Sequence, residues 1–181
     1  SSLKCKAMQS NAKVFDVCVR GAGIVGRALA LALSRQGLAV ALQAPPLNAA
    51  REDVRAYALN AASVALLDSL KVWSELPADA RTAVFDMRVE GDAAAAVLRF
   101  SAWQQKVREL AWIVDAAALE AELAAALRYA PHVTATTDAV PARLLVLAEG
   151  RASATREQLG VAFDLHDYGQ TAIAARLQTD T

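Results

Sequence analysis

The sequence predicts an α/β fold with a central parallel sheet and part of a second, antiparallel sheet. Residues 15–43 read as a strand, a glycine-rich turn, an amphipathic helix and a second strand, which is a βαβ unit. Residues 144–147 are a continuous run of Leu and Val, the pattern of a strand buried in a parallel sheet. Residues 84–90, 97–100 and 171–178 alternate apolar and polar side chains, as half-buried antiparallel strands do.

The βαβ unit carries three glycines where its first strand meets its helix. Gly21, Gly23 and Gly26 have the spacing G-x-G-x-x-G. This spacing permits a tight turn, lets a pyrophosphate approach a backbone without a Cβ, and packs the helix closely on the strand. The helix N-terminus also offers N–H groups to an anion. A glycine-rich turn without a ligand is the alternative, but the flanking strand and helix favour a dinucleotide-binding site.

Capping residues and apolar spacing predict two further helices. Asn60 and Asp115 are the expected N-caps, since their side chains accept hydrogen bonds from a first helical turn. The apolar residues behind them recur on one face, at Leu66, Leu67 and Leu70 in the first helix and at Leu119, Leu123 and Leu127 in the second. The three tryptophans, Trp73, Trp103 and Trp112, are expected to pack, because aromatic rings supply large buried areas.

Length, charge and cysteine content limit the classes of protein to which this chain can belong. A chain of 181 residues can form one sizeable core, or one domain and part of another. Lys plus Arg and Asp plus Glu number 19 each, so no net field attracts nucleic acid, and charged residues interrupt every apolar run, so no transmembrane segment is predicted. Two cysteines make no disulfide framework, which favours a cytoplasmic location.

Four blocks, in order along the chain, resemble the flavin-dependent aromatic hydroxylases, and most closely their ubiquinone-biosynthesis branch of 2-polyprenylphenol-type hydroxylases. The glycine turn is the first block. The second block, Asp53-Val-Arg55 to Trp73, is similar to the family's D-x-R-x-x-A-L…S…L…W signature. The third block resembles the second flavin motif, written L-L-V-G-A-D-G-x-x-S-x-x-R, and is Leu144-Leu-Val-Leu-Ala-Glu149-Gly150-Arg-Ala-Ser153-Ala-Thr-Arg156. The fourth block, Asp167-Tyr-Gly-Gln-Thr-Ala-Ile, is similar to a segment of the ubiquinone branch.

The resemblance implies a domain organisation and a reaction. Residues 14–165 would form a Rossmann-like FAD-binding domain with inserted strands near 84–100. Residues 166–181 would begin a truncated substrate-domain sheet, and residues 1–13 would be a leader or extension. In such enzymes NAD(P)H reduces FAD, and one oxygen atom of O₂ passes to an electron-rich phenol, the small-molecule substrate. The protein positions the cofactor and excludes water.

The resemblance also implies roles for residues of this chain. Gly21, Gly23 and Gly26 would cradle the FAD pyrophosphate. Arg55 would reach that pyrophosphate, since a rigid guanidinium pairs two phosphate oxygens at once. Glu149 and Gly150 match an aspartate–glycine pair facing the ribityl or pyrophosphate region, and Arg156 matches an arginine that closes the same loop. No catalytic side chain and no metal ligand are predicted.

Three residues depart from the family pattern. Ala44 stands where the family carries the acid that grips the adenosine ribose, Glu149 replaces a shorter aspartate, and Leu147 replaces a glycine. These changes predict a weakened flavin site, in a chain about half as long as a family member. One alternative is therefore a flavin-fold protein that has lost FAD and serves as a scaffold, as a homo-oligomer or with a quinone-pathway protein. A less favoured alternative is an NAD-dependent dehydrogenase.

Overall fold

The computed structural model describes residues 13–44, 53–93, 96–151, 153–173, 175 and 177. Within these residues the chain forms nine strands and five α-helices, with a 3-10 turn at Ala78–Ala80. The strands are β1 Phe15–Arg20, β2 Val40–Gln43, β3 Ala56–Leu59, β4 Arg81–Val84, β5 Asp86–Glu90, β6 Val97–Ser101, β7 Ala111–Asp115, β8 Val133–Thr136 and β9 Ala142–Leu147. The helices are α1 Ile24–Arg35, α2 Ala61–Ser69, α3 Ala102–Gln105, α4 Ala116–Arg128 and α5 Ala154–Gln158.

The predicted parallel sheet is present, with the strand order β8-β2-β1-β9. All three pairings are parallel, and Val17 of β1 lies opposite Val40 of β2 and Leu144 of β9. Helix α1 returns the chain from β1 to β2 and covers one face of the sheet, where Val19, Val40 and Ala30 are fully buried. The carboxyl ends of β1, β2 and β9 therefore share one edge with the glycine turn, which is where open α/β sheets bind ligands.

A second core lies between α4, α1 and a three-stranded antiparallel sheet with the order β3-β7-β4. Leu119 and Leu123 of α4 are fully buried in it. Both predicted caps are confirmed, because Asn60 accepts from the Ser63 amide at 2.8 Å and Asp115 accepts from the Ala118 amide at 2.9 Å. Two of the tryptophans pack edge to face, Trp73 and Trp112, with ring centroids 5.3 Å apart. Trp103 does not pack, since 89% of it is exposed.

The burial predicted for β9 is wrong in one respect. The strand pairs in parallel with β1, as expected, but it ends the sheet, so its other edge has no neighbour among the described residues. Leu144 and Leu145 are therefore 55% and 44% exposed. A continuous apolar run indicates a strand buried on both faces only where other strands and helices cover it.

The predicted alternating strands have mixed outcomes. The interval 84–90 is divided between β4, which ends at Val84, and β5, which pairs with β6 in an antiparallel hairpin. That hairpin is exposed along nearly its whole length, not half buried. The strand predicted over 171–178 is not formed at the described positions 171–173, 175 and 177, which are irregular and exposed. Ala175 and Leu177 line a pocket with residues of β3, β4 and β7, but they add no strand to that sheet. The predicted loop after Ala44 lies mostly outside the described residues.

Candidate functional site

A cleft of about 900 Å³ opens at the carboxyl edge of the parallel sheet. Residues from the first three of the four family-like blocks line it, namely the glycine turn, the block that contains Arg55 and the block that contains Glu149 and Gly150. Five of the seven predicted site residues line it: Gly21, Gly23, Arg55, Glu149 and Gly150. Gly26, in the first turn of α1, and Arg156 are not among the residues that line the cleft. The site is thus assembled from segments more than 100 residues apart in the sequence.

The glycine turn has the geometry that the spacing predicts. Gly21 has a φ of +112°, and a Cβ there would lie 2.3 Å from the carbonyl oxygen of Ala148. A Cβ on Gly26 would lie 1.8 Å from the carbonyl oxygen of Gly21. A Cβ on Gly23 would meet no atom within 4 Å, and Gly23 is the N-cap of α1 with no side chain capping the helix. Gly21 and Gly26 therefore close the turn, while Gly23 leaves the helix N-terminus open to an anion.

A buried arginine fixes the turn against the neighbouring helix. Arg27 is only 9% exposed. Its guanidinium donates to the carbonyl oxygen of Ala22 at 2.6 Å and to that of Glu120 on α4 at 2.9 Å. These bonds satisfy a buried charge, which would otherwise be costly, and they tie the glycine turn to α4. This role is not predictable from local sequence patterns, because Glu120 is 93 residues away from Arg27.

Arg55 lies across the cleft from the glycine turn and has a partner of its own. Its guanidinium donates to both carboxylate oxygens of Asp53, at 2.8 and 2.7 Å. These hydrogen bonds lower the pKa of Asp53 to about 2 and raise that of Arg55. The Arg55 side chain is 60% exposed, so the pair is of the weak surface type. A phosphate could therefore take one face of this guanidinium at small cost.

Glu149 has both of its carboxylate oxygens occupied. Ser153 Oγ donates to Oε2 at 2.5 Å, and Thr155 Oγ1 donates to Oε1 at 2.8 Å. The bond from Ser153, followed by that from Thr155, holds the pKa of Glu149 below its usual range, with a further contribution from the charge of Arg20. The carboxylate therefore stabilises the turn between β9 and α5.

Arg156 is held outside the cleft. Its guanidinium lies 4.1 Å from the ring centroid of Phe163 and donates to the carbonyl oxygen of Arg151 at 2.8 Å. Its backbone N–H donates to Ser153 Oγ, which caps α5. These contacts stabilise the loop after β9, and they hold the Arg156 guanidinium outside the lining of the cleft.

The three departures from the family pattern fall at different places. Ala44 directly follows β2 and lines the cleft, so its methyl group presents no acceptor to a ribose hydroxyl there. Glu149 lines the cleft with its carboxylate tied as described. Leu147 lies opposite Arg20 in the β1–β9 pairing, is half buried, and is not among the residues that line the cleft. Of the three departures, those at Ala44 and Glu149 therefore line the cleft.

Comparison with known proteins gives relatives by sequence and neighbours by fold. No family model matches the chain. The chain is 27% identical over 191 residues to the 3-demethoxyubiquinol 3-hydroxylase of Escherichia coli, an alignment that covers 91% of this chain and 49% of the relative. It is 29% identical to the ubiquinone hydroxylase UbiL of Rhodospirillum rubrum, over 92% of this chain and 44% of that protein. Over nearly all of its own length, the chain is thus similar in sequence to ubiquinone-biosynthesis hydroxylases. It spans about half the length of these curated relatives, which are both ubiquinone hydroxylases by name.

Solved structures show the same fold as this chain. The crystal structure of pqsL, a probable FAD-dependent monooxygenase from Pseudomonas aeruginosa, superposes with a TM-score of 0.69 at 20% identity, over 86% of this chain and 48% of that one. The p-nitrophenol 4-monooxygenase PnpA from Pseudomonas putida gives a TM-score of 0.65 at 18% identity, over 83% and 45%. The α/β architecture with its central parallel sheet is thereby confirmed.

Proposed function

We propose that this chain is the nucleotide-binding part of an FAD-dependent monooxygenase that hydroxylates a phenolic quinone precursor with NAD(P)H and O₂. The observation that carries the proposal is the cleft itself, which joins the glycine turn, Arg55 and the Glu149–Gly150 turn at the carboxyl edge of one parallel sheet. These are the positions that the resemblance to the flavin-dependent hydroxylases assigns to cofactor binding. The ubiquinone hydroxylases to which the chain is similar supply the substrate class.

The residues of the cleft fit the phosphate part of FAD better than the rest of it. The open helix N-terminus at Gly23 and the guanidinium of Arg55 would hold the pyrophosphate. The ribose would find no carboxylate at Ala44, and the carboxylate of Glu149 is already bonded within its own turn. FAD would supply the redox chemistry when bound, and the chain would orient it at the sheet edge and keep its phosphates out of bulk water. We therefore propose weak binding of FAD by this chain.

Arg55 provides a test of this proposal. The variant Arg55→Ala is expected to weaken FAD binding by about 1.5–3 kcal/mol, because it removes a charge-assisted bond to the pyrophosphate. The melting temperature of the FAD-free protein should hardly change, since the Arg55–Asp53 pair is exposed. Calorimetric titration and thermal unfolding measure the two effects. A large loss of stability with unchanged FAD affinity would show that Arg55 is structural.

We also propose that the chain forms a homo-oligomer or binds a quinone-pathway protein in the cytoplasm. No helix in the described part of the chain has the length and apolar character needed to cross a membrane. The segment after α5 exposes Val161, Phe163 and Leu165, at 55%, 55% and 65%. Exposed apolar side chains at such close spacing are typical of contact surfaces.

This proposal predicts that the chain self-associates as its concentration rises. Light scattering at several concentrations should give a mass above that of the monomer, and Phe163→Ser with Leu165→Ser should lower it, because both side chains are more than half exposed. Tyr129→Ser is the matched control, since Tyr129 is 87% exposed at the end of α4. A monomer at all concentrations, with no partner retained from quinone-pathway proteins, would contradict the proposal.

A further inference from the structure

Arg20 is a cation that the family resemblance does not account for. It is the last residue of β1 and directly precedes the glycine turn. Its guanidinium donates to Gln43 Oε1 at 3.0 Å and to Thr155 Oγ1 at 3.1 Å, and its side chain is 29% exposed. The residues it joins lie at the end of β2 and in α5. Arg20 thus connects two strand ends to the helix that follows β9.

The hydrogen bonds from Arg20 continue to Glu149. Thr155 Oγ1 accepts from Arg20 and donates to Glu149 Oε1, so its single proton and a lone pair are both used. Arg20 Nε also lies 3.9 Å from the same Oε1, within ion-pair distance. The network therefore holds an ionised carboxylate in the β9–α5 turn and places a positive charge beside it.

This network adjoins the backbone that receives an anion. The Ala148 amide donates to the carbonyl oxygen of Arg20 at 2.7 Å, and the Gly21 amide donates to that of Gln43 at 2.8 Å. Arg20 and Glu149 both line the cleft, together with Arg55 and Glu120 from the opposite side. Without its cation, an ionised Glu149 would repel a phosphate at the glycine turn, because charges a few ångströms apart interact strongly at a partly buried site.

We propose that Arg20 is a positioning residue for nucleotide binding, which holds Glu149 in the β9–α5 turn and balances its charge so that a phosphate can reach Gly23. The inference rests on the proposed function of the cleft. In this proposal Arg20 affects nucleotide binding through the position and charge of Glu149, whereas a purely structural arginine would affect only the stability of the fold. If Arg20 acts in this way, removing the charge of Glu149 should reverse the effect of removing Arg20.

Calorimetric titration of the full chain with ADP tests the proposal. Arg20→Leu is expected to weaken ADP binding about tenfold, because the negative charge of Glu149 would then be unbalanced and would repel the phosphate. The double variant Arg20→Leu with Glu149→Gln should regain most of that loss, and Arg20→Lys should retain most of the affinity. Unchanged binding in Arg20→Leu, or no recovery in the double variant, would overturn the proposal.

Hydrogen exchange of the ligand-free protein gives a second measurement. Arg20→Leu should speed exchange of the amides of residues 153–158, while the amides of α4, which Arg20 does not contact, serve as the control. Unchanged exchange at 153–158 would overturn the proposal even if ADP affinity fell. If the unmodified chain takes up no ADP, the proposed nucleotide site fails, and the exchange result then decides the role of Arg20 in holding the turn.

Discussion

Replacing Gly26 by alanine is expected to destabilise the folded chain by more than about 3 kcal/mol, a large part of the stability of an ordinary domain. The reason is a backbone collision, since the new Cβ would lie 1.8 Å from the carbonyl oxygen of Gly21. That carbonyl cannot move freely, because Gly21 is itself packed against Ala148. Denaturant unfolding followed by circular dichroism measures the change.

Gly23→Ala is the matched control for this prediction. Gly23 has a φ of −75° and open space where a Cβ would be, so alanine should cost no more than about 1 kcal/mol, which is the disadvantage of alanine at a helix N-cap. The same methyl group would stand where a pyrophosphate must approach, so FAD affinity should fall by more than about tenfold. Equal stability losses in both variants would mean that the turn is not packed as described. Unchanged FAD affinity in Gly23→Ala would place the cofactor elsewhere.

Restoring the two family carboxylates is expected to strengthen FAD binding by one to two orders of magnitude. Ala44→Glu supplies an acceptor to the ribose, and a hydrogen bond to a charged group contributes about 1.5–3 kcal/mol. Glu149→Asp shortens the side chain by one methylene, which restores the family residue and draws the carboxylate back from the space that the cofactor would occupy, while Arg20 stays beside it to balance its charge.

The double variant should bind FAD more tightly than either single variant in a calorimetric titration. Leu147→Gly serves as the control, because Leu147 is outside the lining of the cleft and its replacement should add no affinity. A gain from Leu147→Gly equal to that from the carboxylates would contradict this assignment. So would a double variant that binds FAD no better than the unmodified chain.

The parts of the fold that local sequence patterns specify were predictable. The strand–turn–helix of the βαβ unit and the caps at Asn60 and Asp115 depend on neighbours a few residues away, which periodicity and capping chemistry reveal. The antiparallel sheet of β3, β4 and β7 was not predicted as a unit. Its strands are four or five residues long and pair across more than 25 residues, so their stability comes from partners that a local pattern does not show.

In the candidate site, too, some residues were predictable from local sequence and others depend on distant partners. The glycine turn was predictable because two of its three glycines are required by the backbone, Gly21 by its positive φ and Gly26 by a close contact. Arg20 and Arg27 were not, because their partners Thr155 and Glu120 are 135 and 93 residues away. The position of Arg156 was likewise set by Phe163, which no family motif mentions. Side chains that tie distant segments together become recognisable only once the fold has placed their partners.

We expect the cleft at the glycine turn to bind FAD, but weakly. A calorimetric FAD titration of the unmodified chain, with its flavin absorbance recorded beforehand and Gly23→Ala as the blank, tests it most directly. We expect a purified protein with little flavin colour that takes up one FAD per chain, and we expect ADP to displace this FAD and Gly23→Ala to weaken its binding. A titration indistinguishable from that of Gly23→Ala, or a purified protein that already holds stoichiometric flavin, would contradict it.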